Sequence, residues 1–362
     1  MKGLTLKIND RFRNRKVDFF NEFTFTLAHD SIGSVFGFNF YFNPQILEHK
    51  EMCCVTHFHE VTLEFNDELL LTGNITSQQF KVSSVKQLSS FGGYSKTGVL
   101  EDCEIPVSVY PLQSNGLSLR QIAEKIIAPF GLKMEIDSAV LERMNKSFKN
   151  STASESQTVK AYLSELASQK NIIISHNEKG DLLFTESKTN INPILDFDLT
   201  KNTYIGTSFT FDYDGQGMHS EINIQKQASI DGGNAGTQKI KNPYVLQSVF
   251  RPTTKSQSSG DDNDTVLATN RALSNELRGV KLTIETDRWL VNNKIIKPNN
   301  LISIYAPDLY IFKKTQFFIE SITYNGNQEK TTATLNCVLP EVYSNKTPVS
   351  IFKDINLHAQ GL

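Results

Sequence analysis

Apolar and polar side chains alternate through much of the first hundred residues, at 17–20, at 23–27 and at 35–42. A period of two bounded by polar turns predicts antiparallel strands arranged as a barrel or sandwich. No helix is predicted in this stretch.

The period changes near Leu112. Ser118 and Gln121 have the spacing of a capping box, Ile122, Ile126 and Ile127 share one face, and Gly131 after Pro129-Phe130 is a stop signal. A second helix is predicted over 158–170, where Val159, Tyr162, Leu163, Leu166 and Ala167 make an apolar stripe. Residues 171–175 and 182–184 then flank a polar turn and predict a hairpin. This middle segment reads as a small α/β unit.

Strands resume at 204–211 and 221–224. Two polar stretches, 231–237 and 253–264, are too poor in apolar residues to bury surface and predict exposed loops. One more helix, over 265–278, turns Ala268, Ala272, Leu273 and Leu277 inward and stops at Gly279, after which the pattern is β again from Lys281 to Leu339.

The pattern also repeats. Residues 61–69 can be laid over 302–310, each an alternating strand followed by an acidic turn, and each copy ends on Cys-x-(Ile/Leu)-Pro, at Cys103 to Pro106 and Cys337 to Pro340. The spacings differ, so two amphipathic strands could agree by chance. A true repeat predicts two similar β-domains separated by a different segment in an α+β, mostly β chain. The expected organisation is a first barrel over 1–111, a small α/β domain over 112–190, a β-rich connecting domain over 191–264, a second barrel over 265–345 and a tail over 346–362.

A chain of 362 residues is long for one core and predicts two to four domains. With 37 basic against 39 acidic residues the formal charge is -2, which gives no electrostatic footprint for nucleic acid or anionic membrane and leaves proteins as the expected partners. Residues 1–10 lack a signal-peptide core, and no stretch approaches the roughly 20 apolar residues of a membrane span. The expectation is synthesis in the cytoplasm with no membrane anchor. Cys53, Cys54, Cys103 and Cys337 are too sparse and irregular for a disulfide framework.

His57 and His59, near Cys53-Cys54, form the metal-like cluster. On a strand they would share a face, and three copies about a threefold axis would offer six nitrogens. The competing reading is two ordinary polar positions, and adjacent cysteines point to opposite faces, which suits zinc poorly. Gly92 to Gly98 superficially resembles a phosphate loop, yet Ser95-Lys96-Thr97-Gly98 leads into an expected strand rather than the helix of a Walker motif. Ser95-Lys96 lacks the orienting groups of a catalytic dyad, no carboxylate pair stands out, and Trp289 reads as core. No catalytic, cofactor or metal site is therefore expected.

Tyr94 to Cys103 resembles the Ser-(Lys/Arg)-Thr-Gly-x-Leu-x-Asp-Cys motif of the baseplate hub proteins of Mu-like contractile-tailed phages. Leu117 to Ala123 with Ala128-Pro129-Phe130-Gly131-Leu132 is similar to that family's helix and Ala-Pro-(Phe/Tyr)-Gly turn. Tyr162 to Ala167 with Gly180 to Phe184, then Arg251-Pro252, Asn270-Arg271-Ala272 and Pro298-Asn299-Asn300, continue the likeness from about residue 60 to 345. The chain departs from the pattern at Ile295-Ile296-Lys297, where the family often has an aromatic, and over its first fifty residues.

The resemblance implies that both β-domains are antiparallel β-barrels, and that the protein is a homotrimer whose two barrels per chain make a pseudo-sixfold ring, matching the sixfold tail tube to the threefold spike. It implies as partners the tail tube protein, the central spike protein and other baseplate proteins, with DNA passing through a channel without specific binding. It places the protein in the tail baseplate of the virion. Related architecture in type VI secretion spikes makes a phage-derived injection device a neighbouring reading. The other classes weighed are a tail-associated cell-wall hydrolase or peptidase, which needs a catalytic constellation not seen here, and a trimeric receptor-binding tail protein, which usually shows a repetitive shaft.

Overall fold

The computed structural model describes residues 3–9, 13–17, 20–82, 88–110, 115–149, 152–153, 156–226, 237–257, 265–344 and 348–353. The chain divides into two compact units, 1–186 with 287–289 and 322–333, and 187–286 with 290–321 and 334–362.

In the first unit the strands are β1 (Leu4–Asn9), β2 (Asn14–Val17), β3 (Phe20–Ala28), β4 (Val35–Tyr41), β5 (Glu60–Phe65), β6 (Glu68–Gln79) and β7 (Leu88–Ser95). They pair antiparallel in the order β3-β4-β7-β6-β5-β1-β2. The alternation seen in the sequence is the reason: Phe23, Phe25, Phe36, Phe38, Phe40 and Phe91 are buried while their neighbours face out. Trp289 is buried against Phe23, Phe25 and Tyr324, as its aromatic character suggested.

A helix not expected from the sequence, α1 (Leu47–Met52), lies between β4 and β5. It is six residues long, has no side-chain cap and buries only Met52, so no periodic signal could mark it. The residues after Gly98, read as strand, instead form one helical turn, α2 (Val99–Asp102), with Leu100 as its buried residue. Asp18 and Phe19 lie outside the described residues.

The α/β part of this unit carries α3 (Leu119–Ile127), β8 (Met134–Ile136), α4 (Leu141–Asn145), α5 (Val159–Gln169), β9 (Ile173–His176) and β10 (Leu182–Thr185). Ser118 and Gln121 close the capping box of α3, and Gly131 follows with φ +66. Thr158 caps α5, and the sheet runs β8-β10-β9. The stripes of α3 and α5 meet β9 and β10 in one core, which includes Ile122, Ile126, Tyr162, Leu163, Leu166 and Phe184.

The second unit carries β11 (Leu195–Asp198), β12 (Thr207–Tyr213), β13 (Glu221–Lys226), β14 (Thr237–Lys241), β15 (Pro252–Gln257), α6 (Thr265–Glu276), β16 (Val280–Thr286), β17 (Leu290–Val291), β18 (Lys294–Ile295), β19 (Leu301–Ala306), α7 (Glu341–Ser344) and most of β20 (Ile311–Asn327) and β21 (Thr331–Val338), whose residues 322–327 and 331–333 belong to the first unit. Its main strands follow the order β12-β16-β21-β20-β19-β11, and β14-β13-β15 form a separate small sheet. The loop expected from residue 253 onward is corrected over its first part, because Pro252–Gln257 is an edge strand parallel to β13. An edge strand exposed on both faces needs no apolar alternation, and the β-branched Thr253 and Thr254 suit it. Residues 231–236 and 258–264, predicted as loops, and 346–347 and 354–362 of the predicted tail lie outside the described residues.

The repeat is visible strand for strand. In chain order β1, β3, β4, β5, β6, β7 and β11, β12, β16, β19, β20, β21 occupy the same places in their sheets. Within the paired hairpins a bulge follows Leu63 in one and Ile304 in the other, the two residues that the sequence overlay superposes. The copies differ at one joint: β1 runs antiparallel to β5, whereas β11 runs parallel to β19.

Candidate functional site

The Ser-Lys-Thr-Gly block sits where β7 ends and the α/β part of the first unit begins. Ser95 and Thr97 are fully buried. Ser95 N–H donates to the Ser34 carbonyl at 2.8 Å, Ser34 N–H donates to Ser95 Oγ at 3.2 Å, and Thr97 Oγ1 donates to the Ile32 carbonyl at 2.5 Å. Two side-chain hydroxyls thus satisfy the β3–β4 turn, which would otherwise bury unpaired backbone groups. At Gly98 a Cβ would fall 2.3 Å from the Tyr94 ring, so glycine is required by the close approach.

Lys96 reaches back to an ion pair with Glu60 on β5. Asp102 accepts from Tyr94 OH at 2.7 Å, and Glu101 accepts from Lys160 Nζ of α5 at 2.6 Å. Burial and then this Asp102 contact push the Tyr94 phenol well above its usual value, so it remains a neutral donor. The β9–β10 turn adds a second set of ties: Thr72 Oγ1 donates to the Glu178 carbonyl at 2.8 Å, and His176 Nε2 lies 2.7 Å from Ser34 Oγ. The block is therefore a clasp joining sheet to α/β part. Its lysine is engaged by a carboxylate and the Ser95 amide by a carbonyl, an arrangement unlike a phosphate cradle.

His176 Nδ1 faces the Asn177 carbonyl at 2.9 Å and must donate there, so Nε2 accepts from Ser34. Burial holds its pKa below the ordinary 6.5, against the opposing pull of the Asn177 carbonyl and Glu178. The unfolded chain therefore takes up this proton first as pH falls, and the native state loses stability from pH 6.5 downward toward the lowered native value. His176→Gln is expected to flatten that part of the profile, read as urea midpoints of both proteins at about pH 5 and about pH 8. Equal slopes in the two proteins would refute the role.

His57 and His59 lie in a turn rather than on a strand, with Thr56 at φ 73 and Phe58 at φ 47. The shared face expected from strand geometry does not form, yet the rings stack at 5.4 Å. His57 is exposed, while the buried His59 places Nε2 3.0 Å from the Glu51 carbonyl. Burial pushes the nearby Cys53 thiol up to about 12, away from the thiolate that binds metals. Among the described residues no three His, Cys, Asp or Glu side chains gather as metal ligands would. The partners of the clasp at Ile32, Ser34, Thr72 and His176 carried no signal in the sequence, because each acts through geometry created by the sheet.

The fold is shared with phage tail proteins and a type VI secretion component. The prophage MuSo2 43 kDa tail protein from Shewanella oneidensis superposes with a TM-score of 0.76 at 15% identity, covering 94% of this chain and 99% of that one. The tail protein from Neisseria meningitidis MC58 does so at 0.75 and 15%, covering 95% and 99%. The E. coli c3393 protein, a type VI secretion component described as structurally similar to the T4 tail proteins gp27 and gp5, matches at 0.53 and 11%, covering 92% and 76%.

Residues 97–186 match the family model of the baseplate hub protein gp44-like second domain, a match that starts inside the clasp at Thr97 and ends just after β10. No curated protein sequence matches the chain. The domain model and the shared fold bear out the resemblance to baseplate hub proteins read from the motifs.

Proposed function

We propose that the chain is a structural, non-catalytic hub of a contractile phage tail or of a phage-derived injection device. It adapts the sixfold tail tube to the threefold spike, nucleates tube polymerisation on one face and holds the spike on the other. The observation that carries this reading is one strand order used twice in a single chain, because three such chains present six similar sheets. The domain plan we propose keeps two similar β domains, with the α/β part and the small β14-β13-β15 sheet as additions. Its partners are then further copies of itself, the tube protein, the spike protein and neighbouring baseplate proteins, and its place is the virion baseplate after assembly in the host cytoplasm.

Light scattering is expected to give about three times the 40.8 kDa chain mass, and stained particles viewed down the axis to show six similar lobes. A stable monomer with no ring in the presence of the spike protein overturns the hub. Turnover in a muramidase or peptidase assay would return the enzyme reading.

A further inference from the structure

The two copies of the repeat differ in what occupies one edge of their longest strand. On β6 the ladder with β5 ends at the pair Glu60–Asn74, and on β20 the ladder with β19 ends at Leu301–Phe318. Beyond each end the next residue makes the same bond: Ile75 N–H donates to the His59 carbonyl at 2.9 Å and Ile319 N–H to the Asn300 carbonyl at 2.9 Å. Both strands then run on as overhangs with that edge free of β5 or β19.

In the first unit the overhang of β20 is paired with β3. Thr26 and Thr323 hydroxyls meet at 2.9 Å, the Phe25 and Tyr324 rings stack at 4.7 Å, and Gly326 makes room for the Phe23 ring. The equivalent of β3 in the second copy is β12, which among the described strands pairs with β16 alone. The Asp214 N–H to Gly279 carbonyl bond fixes the phase of that ladder. Phe209, Phe211 and Tyr213 therefore turn their backbone groups away from β16, toward the open edge. Phe209 packs on Phe197 and Tyr204, and Phe211 and Tyr213 on Phe352, yet these side chains remain only partly covered, Tyr213 being 46% exposed, whereas Phe23 and Phe25 on β3 are buried.

The β6 overhang shows the complementary deficit. Superposing the ladder ends sets Phe80 on Tyr324 and Val82 on Gly326; Phe80 meets the Phe42 ring at 4.9 Å yet stays 44% exposed, and Val82 is 82% exposed. Among the described strands only β7 pairs with β6 past Asn74. An open edge beside apolar side chains invites pairing with another chain.

We infer that residues 75–82 of one copy add to the free edge of β12 in a second copy, repeating between chains the pairing that the β20 overhang makes with β3 within each chain. Phe80 then covers Phe209 and Phe211 as Tyr324 covers Phe25. The contact is head to tail, since each chain offers one overhang and one acceptor edge, and such contacts close into a ring when the rotation permits. This deepens the hub reading and rests on it for the closure and the number of copies.

The test places a photoreactive benzoylphenylalanine at position 80 and assembles the full chain from a mixture of isotope-labelled and unlabelled protein. Cross-links between copies are expected to map to 205–213, and Phe80→Asp with Val82→Asp is expected to weaken self-association by about tenfold or more. Six-lobed particles whose cross-links fall elsewhere, or a double variant that assembles like the parent, overturn this pairing and leave the hub standing. A chain that forms no particles even with the spike protein present overturns both.

Discussion

Gly93→Ala is expected to destabilise the first unit by about 3 kcal/mol or more, at the upper end of overpacking effects. A Cβ on residue 93 would lie 1.8 Å from the Asn74 carbonyl oxygen and 2.9 Å from Phe36 Cζ. The first of these is backbone of the paired strand, beside the irregularity between Ile75 and Ser77, and it cannot withdraw without opening the β6–β7 ladder. The comparison is Gly37→Ala on the adjacent β4, where the added methyl would meet only Thr24 Cγ2 at 3.5 Å. Urea unfolding of both variants checks the claim. If Gly93→Ala stays within about 1 kcal/mol of Gly37→Ala, the close approach at that position is not structural.

The second large effect is expected at Glu276→Ala in the second unit. Glu276 ends α6 with its side chain almost fully enclosed. It accepts from His219 N–H at 2.9 Å, from His219 Nδ1 at 2.8 Å and from Asn242 Nδ2 at 3.2 Å, and Asn242 itself has no exposed surface. Asn242 in turn accepts from Tyr244 N–H at 2.9 Å, so one carboxylate organises the connections entering β13 and leaving β14. Truncation leaves buried donors without an acceptor, a loss of about 2–4 kcal/mol. Glu276→Gln keeps one acceptor oxygen and should lose about half as much. Faster amide exchange in β13, β14 and β15 is the local signature, and an unchanged exchange rate in the alanine variant would contradict it.

Much of this was legible in the sequence wherever the pattern is local. The capping box at Ser118, the stop at Gly131, the stripe from Val159 to Ala167 and the alternating phenylalanines of β3 and β4 each report a neighbour within a few positions. The repeat was legible in part, since the overlay of 61–69 on 302–310 already placed Leu63 on Ile304, where both strands bulge. What failed to show were interactions decided at long range. Thr72 bonds a carbonyl 106 positions away and His176 a hydroxyl 142 positions away, and no spacing rule reaches that far. The short elements failed for a different reason: α1 and α2 bury one residue each, less than a period.

The β20 overhang also has a consequence for synthesis. Thr26 and Thr323 are separated by 297 positions, so a chain emerging from the ribosome holds β3 with one edge open until residues beyond 322 have been made. The stack of Phe25 on Tyr324 is then among the last contacts of the first unit to form. An N-terminal fragment released early would expose that phenylalanine edge, and translational pausing or truncation ahead of residue 322 should yield aggregation-prone, protease-sensitive chains. Completion of the hairpin at its far end thereby marks the point after which the first unit can close that edge of its sheet.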